Sequence, residues 1–424
     1  MRTKGTVTLA TRGSRLARSQ SELVGETLEK RRYDVTFETV ETTGDQIRDE
    51  LIHRLGKTGA FVRELDERVL EGTVDGAVHS MKDMPTEQPD DLVTAAVPER
   101  AHPGDVLVTP DGASLEELPE GAVVGTSSLR RRAQLLAERP DLEVEPIRGN
   151  VDTRLEKVLA PALQAELEER READADRKGG AGSGSGSDDG SGGYKPDYSD
   201  DADANEETDD DETETVDDWY DSLTDLEQRA LDREIDVAYD ALVLAESGLR
   251  RSGLDEYVTF ERLPTQTFVP APGQGALAVT AADGDTAQDL REAIDHPRSR
   301  VETTVERTIL AELGGGCIAP IGIYAVVQGE YVHVTVQVFD QDGQESVIGS
   351  RDLPIETHAK SARKFAADLA DRGAAELIAA AREDPGGDAE RTDGSDADES
   401  TGETDEGGPE GGDGEDLETE ETDD

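Results

Sequence analysis

The sequence predicts an α/β protein made of two successive units, followed by a smaller α+β segment. Three observations predict it. Short apolar runs alternate with amphipathic stretches, which implies parallel strands joined by crossover helices. A Pro/Gly-bounded stretch at 98–104 reads as a hinge, and the same alternation restarts beyond it. From about residue 289 the order changes to one helix, a glycine loop, three strands and a final alanine-rich helix.

Taken in order, residues 7–10 read as a buried strand and 14–31 as an amphipathic helix. Residues 35–39 are a second strand, 61–70 a helix, and 75–80 a third strand. Past the hinge, 106–109 and 122–125 are strands, 129–139 a helix, 144–147 a strand and 153–163 a helix. The run at 239–245 is a further buried strand. The last segment carries helix 300–313 and strands 323–328, 331–339 and 345–353. Two tracts break the pattern. Residues 180–193 are Gly/Ser-rich and 197–218 are nearly all acid, so 166–234 is expected to be a disordered acidic insertion. Helical stubs are allowed at its ends, at 164–175 and 223–233. Residues 384–424 are expected to be a second disordered acidic tail.

Of the 424 residues, 99 are Asp or Glu against 43 Lys or Arg, a formal net charge of -56. Such a chain repels nucleic acid and anionic membrane, so neither is an expected partner. Acid also lines predicted helix faces such as Glu64-Leu65-Asp66-Glu67, which points to a cytosol rich in salt. Met1-Arg2-Thr3-Lys4-Gly5 leads into a strand-like run without a signal-peptide pattern, and no apolar stretch is long enough to span a bilayer. A cytoplasmic location is expected.

Against that acid, clustered arginines stand out at predicted strand ends. Ala10-Thr11-Arg12-Gly13-Ser14 and Gly125-Thr126-Ser127-Ser128-Leu129-Arg130-Arg131-Arg132 each lie between a strand and a helix. Helix N-termini with hydroxyls and guanidinium forks make anion sites, and Arg suits planar carboxylates. Arg148 and Arg154 mark a third strand end, and Arg250 and Arg251 a fourth group. One such cluster in isolation is most often a solvated helix face. Recurrence where α/β sheets bind ligands implies a ligand with several carboxylates. His79-Ser80-Met81-Lys82-Asp83-Met84-Pro85 follows another strand end. Lys82 suits a ligand carboxylate, and Asp83 suits a developing cation or an N–H. The bland alternative is a lysine–aspartate pair on a loop.

Cys317 is the only cysteine, in Leu313-Gly314-Gly315-Gly316-Cys317. It excludes an intrachain disulfide and a cysteine metal cluster, and no metal is expected. A free cysteine is usually a small buried residue. Three glycines before it remove side chains, so this thiol is better placed to react or carry a covalent group.

These motifs, with Arg148-Gly149-Asn150-Val151 and Pro272-Gly273-Gln274-Gly275-Ala276, resemble hydroxymethylbilane synthase, also called porphobilinogen deaminase. The resemblance covers roughly 5–165 and 235–380 in the family's order. It implies two doubly wound lobes like periplasmic binding proteins, with a crevice between them, and an α+β third domain presenting the cysteine. By resemblance, domain 1 is 1–98 with 269–286, domain 2 is 103–165 with 235–264, and domain 3 is 289–383. The enzyme is a monomeric transferase that condenses four porphobilinogen molecules head to tail, releasing ammonia. Cys317 is implied as the covalent anchor of a dipyrromethane cofactor. Asp83 is implied as the catalytic carboxylate that stabilises the azafulvenium cation. Lys82, Asp83, Thr126, Ser128, Arg130, Arg131 and Arg154 are implied to hold the cofactor, and Arg12, Ser14, Arg148 and Arg251 the substrate. The chain departs from the family pattern in Leu55-Gly56-Lys57-Thr58-Gly59, where the lysine is shifted by one, and at Asp152, where glycine is common. Asp152 would either pair with Arg154 or face solvent. A carboxylate sensor on the same frame would not need the Gly-Gly-Gly-Cys loop and the Lys82-Asp83 turn together. A nucleotide-binding reading lacks both the G-x-G-x-x-G spacing and a Walker sequence.

Overall fold

Two five-stranded mixed sheets and one three-stranded antiparallel sheet organise the chain. The computed structural model describes residues 3–40, 60–180, 215–315 and 319–383. Cys317, the Lys57 loop and the tail 384–424 lie outside the described residues.

The first lobe starts with β1 (Gly5–Arg12), α1 (Arg15–Lys30) and β2 (Tyr33–Val40). Ser14 starts α1 by accepting the Ala17 N–H at 3.2 Å. Its buried face is Gln20, Ser21, Val24, Gly25 and Leu28, a helical spacing. Then come α2 (Ala60–Leu70), β3 (Gly76–Ser80) and β4 (Leu92–Ala96).

The second lobe holds β5 (Asp105–Val108), β6 (Val123–Gly125), α3 (Leu129–Glu138), β7 (Glu143–Glu145) and α4 (Val151–Gly180). It continues with α5 (Val216–Ser222), α6 (Asp225–Leu231), β8 (Ala241–Ala245), α7 (Glu246–Arg251) and β9 (Phe260–Arg262). The chain then returns to the first lobe with β10 (Leu277–Ala282) and α8 (Asp285–Ile294). Last come α9 (Pro297–Glu312), β11 (Ile321–Gln328), β12 (Tyr331–Phe339), β13 (Ser346–Pro354), α10 (His358–Ala370) and α11 (Ala374–Glu383).

The sheet orders are β2-β1-β3-β10-β4 and β7-β6-β8-β5-β9. The sheets are mixed, which corrects the parallel expectation. β10 runs antiparallel to β3 and β4, and β5 antiparallel to β8 and β9. Each is the strand that arrives from the other lobe, so it enters its sheet from the opposite end. Both sheets are covered on both faces. In the first, Val7, Leu9, Val24, Leu28, Val279 and Leu290 pack on one side, and Ala10, Leu65, Val69 and Ala77 on the other. In the third sheet Val332, Val334, Val336 and Val338 alternate inward against Val305, Ile309, Phe365 and Leu369.

Two further expectations change. The boundary expected at 286 falls inside α8, whose Ala287, Leu290, Ala293 and Ile294 belong to the first-lobe core. The edges of the expected disordered insertion are ordered. α4 runs on past Pro161 to Gly180, and α5 and α6 pack against it. Glu156 accepts from Arg229 and Arg233, each at 2.8 Å. Gln164 Nε2 donates to the carbonyls of Leu231 and Arg233 at 3.0 and 2.7 Å. Trp219 is buried, with the Arg170 guanidinium over its ring at 5.0 Å. These apolar and ionic contacts offset the poor local propensity of an acidic sequence. Of the expected insertion, residues 181–214 lie outside the described residues.

Candidate active site

The Lys82–Asp83 turn is built from the end of β3. Met81–Asp83 form one turn of 3-10 helix, with Met81 and Met84 buried as anchors beneath it. Lys82 and Asp83 are solvent-accessible between those anchors. Gly273, at φ 76°, backs the turn, and a Cβ there would lie 2.9 Å from Met81 Cγ. The same sheet end carries Arg12 and Ser14, both half-buried.

From the second lobe, the end of β6 supplies Thr126, Ser127 and Ser128, and α3 supplies Arg130 and Arg131. Thr126 is buried, and its Oγ1 accepts the Ser128 N–H at 3.3 Å. Ser127 Oγ donates to the Ile147 carbonyl, tying two strand ends together. Ser128 is the N-cap of α3, yet its hydroxyl makes no capping bond. Arg154 Nε donates to the Gly149 carbonyl at 2.8 Å. Asp152 does not pair with Arg154; its carboxylate takes the Thr153 N–H at 2.9 Å. Arg148 is half-buried. Arg251 Nη2 donates to the Gly275 carbonyl at 2.7 Å, and the Arg251 carbonyl accepts from Ser19 Oγ at 2.7 Å.

Electrostatics bring the two lobes' residues together. Asp83 favours the charged form of Lys82, but desolvation and the like charges of Arg131 and Arg154 outweigh it and lower its pKa. Desolvation, then Arg131, brings the Arg154 pKa down to about 10, and desolvation alone brings Arg251 to about 10.

Beneath this surface lies a buried hub that the sequence reading missed. Asp105 pairs with both Arg130 and Arg131 at 2.8 Å. Gln274 Nε2 donates to Asp105 Oδ1 at 2.8 Å and also to the Pro103 carbonyl. Burial would raise the Asp105 pKa, but Arg130 and Arg131 hold it at about 2. Arg130 also donates to Gln134 Oε1 at 2.7 Å and to the Val269 carbonyl at 2.9 Å. Both arginines are therefore buried members of the hinge. A second pair, Arg100 and Glu306, is bidentate at 2.8 and 3.0 Å. Glu306 also accepts the N–H groups of Gly273 and Ala325 at 2.7 and 2.9 Å. One carboxylate thus joins the hinge to the third sheet. No sequence signal marked it, because its partners lie far away along the chain.

The donor set fits a pyrrole pair bearing carboxylate side chains. Lys82 and Arg154 both feel the like charge of Arg131, the Ser128 hydroxyl makes no capping bond, and among the described residues the buried Arg130 Nε–H has no acceptor. Among the described residues no helix is long and apolar enough to cross a membrane.

Residues 7–167 and 224–289 match the family model described as porphobilinogen deaminase, dipyromethane cofactor binding domain. Residues 301–372 match the model described as porphobilinogen deaminase, C-terminal domain. A probable porphobilinogen deaminase of Halobacterium salinarum is 55% identical, over 89% of this chain and 98% of its own length. One from Methanococcoides burtonii is 36% identical, over 87% and 95%. The porphobilinogen deaminase of Desulforudis audaxviator is 36% identical, over 89% and 98%. Among solved structures, the methionine-binding protein MetQ aligns with a TM-score of 0.31 and 10% identity, over 68% of this chain and 89% of its own. Two family models in order along one chain and relatives at up to 55% identity agree: this chain belongs to the porphobilinogen deaminase family, the dipyrromethane-dependent hydroxymethylbilane synthases of tetrapyrrole biosynthesis.

Proposed function

We propose that this chain condenses porphobilinogen stepwise at the Lys82–Asp83 turn, with Asp83 as the catalytic carboxylate and Cys317 as the covalent anchor of the cofactor. The observation that carries this is the electrostatic convergence of Lys82 with Asp83, Arg131 and Arg154 across the two lobes. When bound, the dipyrromethane supplies the pyrrole on which the product chain is built.

The protein's own residues do the rest. Asp83 sits where a pyrrole N–H and the positive charge left by departing ammonia come within its reach. A fixed carboxylate beside that charge stabilises the transition state more than the ground state. Lys82, Arg131 and Arg154, with Thr126, Ser128 and Arg130, hold the cofactor's acetates and propionates. Arg12, Ser14, Arg148 and Arg251 hold those of the incoming substrate. Two α/β lobes frame the crevice and the α+β domain brings in the cysteine. The enzyme works as a cytoplasmic monomer.

Asp83→Asn keeps the shape and removes the charge. Turnover per adduct-bearing molecule is expected to fall about a hundredfold or more, with KM little changed. Steady-state kinetics measure it, and unchanged turnover would reject the role. Intact mass checks the anchor: wild-type protein carries the mass of two linked pyrroles, and Cys317→Ser carries none.

A further inference from the structure

We infer that Arg307, on the third-domain helix, is a positioning residue for the reaction: it holds the backbone of the turn that presents Asp83. This rests on the reading of Asp83 given above.

Arg307 Nη1 lies 3.2 Å from the Met84 carbonyl and 3.4 Å from that of Met81, and Nη2 donates to the Pro85 carbonyl. The Met81 carbonyl also takes the Met84 N–H that closes the single 3-10 turn Met81–Asp83, and the Met84 and Pro85 carbonyls follow that turn. The end of any helical turn leaves carbonyls without backbone partners. Here Pro85 follows, which has no N–H to continue the backbone ladder. A guanidinium fork meets that need, because its planar donors reach several carbonyls at once and its charge suits the negative end of the turn.

Asp83 is exposed, and among the described residues none donates a hydrogen bond to its carboxylate. Its place is therefore set by the backbone of the turn, and Arg307 is the side chain that clasps that backbone. The neighbouring residue acts on the other side. Glu306 accepts the N–H of Gly273, whose backbone packs against Met81 and Lys82. Two consecutive residues of α9 thus hold the turn and the loop behind it. α9 ends at Glu312, and Cys317 follows Arg307 by ten residues. The helix that carries Arg307 therefore clasps the carboxylate turn from the third domain.

Holding the third domain in place does not depend on Arg307. The bidentate Arg100–Glu306 pair and the apolar packing of Val305 and Ile309 persist without it. Its loss is expected to appear in turnover first.

The test uses adduct-bearing enzyme in molar KCl, with Arg307→Gln, Arg307→Lys, Asp83→Asn and the Arg307→Gln/Asp83→Asn double variant. A displacement of the turn by a fraction of an ångström should lower kcat about tenfold in Arg307→Gln, with KM within about twofold of wild type. Arg307→Lys, which keeps charge but not the fork, should fall between. In the Asp83→Asn background the same change should cost little more, because the carboxylate it positions is already gone. Wild-type kcat in Arg307→Gln overturns the inference. So does a rise in KM alone, or an equal fold-loss in both backgrounds. If Arg307→Gln does not fold, Arg307→Lys decides: reduced kcat with the adduct present supports the role, and wild-type kcat overturns it. Wild-type turnover in Asp83→Asn would remove the Asp83 reading itself, whatever Arg307 does.

Discussion

Lobe 1 orders its strands β2-β1-β3-β10-β4 and lobe 2 orders them β7-β6-β8-β5-β9, with parallel and antiparallel neighbours at the same places. Equivalent strand ends nevertheless carry different chemistry. After β3 comes the Lys82–Asp83 turn; after its counterpart β8 comes α7 with Arg250 and Arg251. After β1 the N-cap serine, Ser14, uses its hydroxyl to start the helix. After β6 the equivalent Ser128 leaves its hydroxyl uncommitted. The interiors differ too. Lobe 1 buries a His79–Asp66–Thr280 cluster, whereas lobe 2 buries Asp105 between two arginines. One frame repeated twice thus places a Lys–Asp turn at one strand end and an arginine pair at its counterpart.

The largest break in this comparison is at Asp105. Asp105→Asn strands two buried guanidinium groups and is expected to destabilise the fold by about 3–5 kcal/mol, read by denaturant unfolding in molar KCl. A loss under about 1 kcal/mol would show that the hub does not hold lobe 2 together. Acid probes the same group in the wild type. Its folded pKa is about 2 against an ordinary 3.8, so the unfolded chain takes up protons first as pH falls. The stabilisation is complete above pH 4 and disappears as pH drops through 2, an expected loss of about 2 kcal/mol. Unfolding curves of wild type and Asp105→Asn should converge across that window.

A smaller contrast separates the two N-cap serines. Ser14→Ala should cost about 1 kcal/mol of stability, because the Ala17 N–H loses its acceptor. Ser128→Ala removes no capping bond. It should leave stability within about 0.5 kcal/mol of wild type and act on retention of the pyrrole adduct. Matched melting curves and intact masses check both, and equal stability losses would erase the distinction between the lobes.

What the sequence made legible was local. β12 showed its strict alternation, so its bounds at Tyr331–Phe339 were read correctly. Direction was not legible. β10 is a short, almost wholly buried run, and such a run looks the same for parallel and antiparallel neighbours. The pairing that ties the hinge to the third domain was hidden for another reason. Arg100 and Glu306 are 206 residues apart, and nothing local marks either as half of a pair. Arg307 was read only as part of a helix, because its partners are backbone carbonyls, which carry no residue signature. At α4 the sequence indicated a helix 153–163 and an allowed stub at 164–175, but not one continuous helix to Gly180. Its length is supported by α5 and α6, which become neighbours only after the chain returns.

The position of β10 has a consequence for how the molecule comes to exist. Lobe 2 draws its strands from one uninterrupted stretch, 105–262, but lobe 1 has a gap between β3 and β4 until residues 277–282 arrive. On the ribosome the domain that starts first must finish second, with two strand edges open while nearly two hundred residues are made. A chain ended at residue 270 should give a protease-resistant core from lobe 2 and a digestible amino-terminal part; protection of both would deny this order of birth.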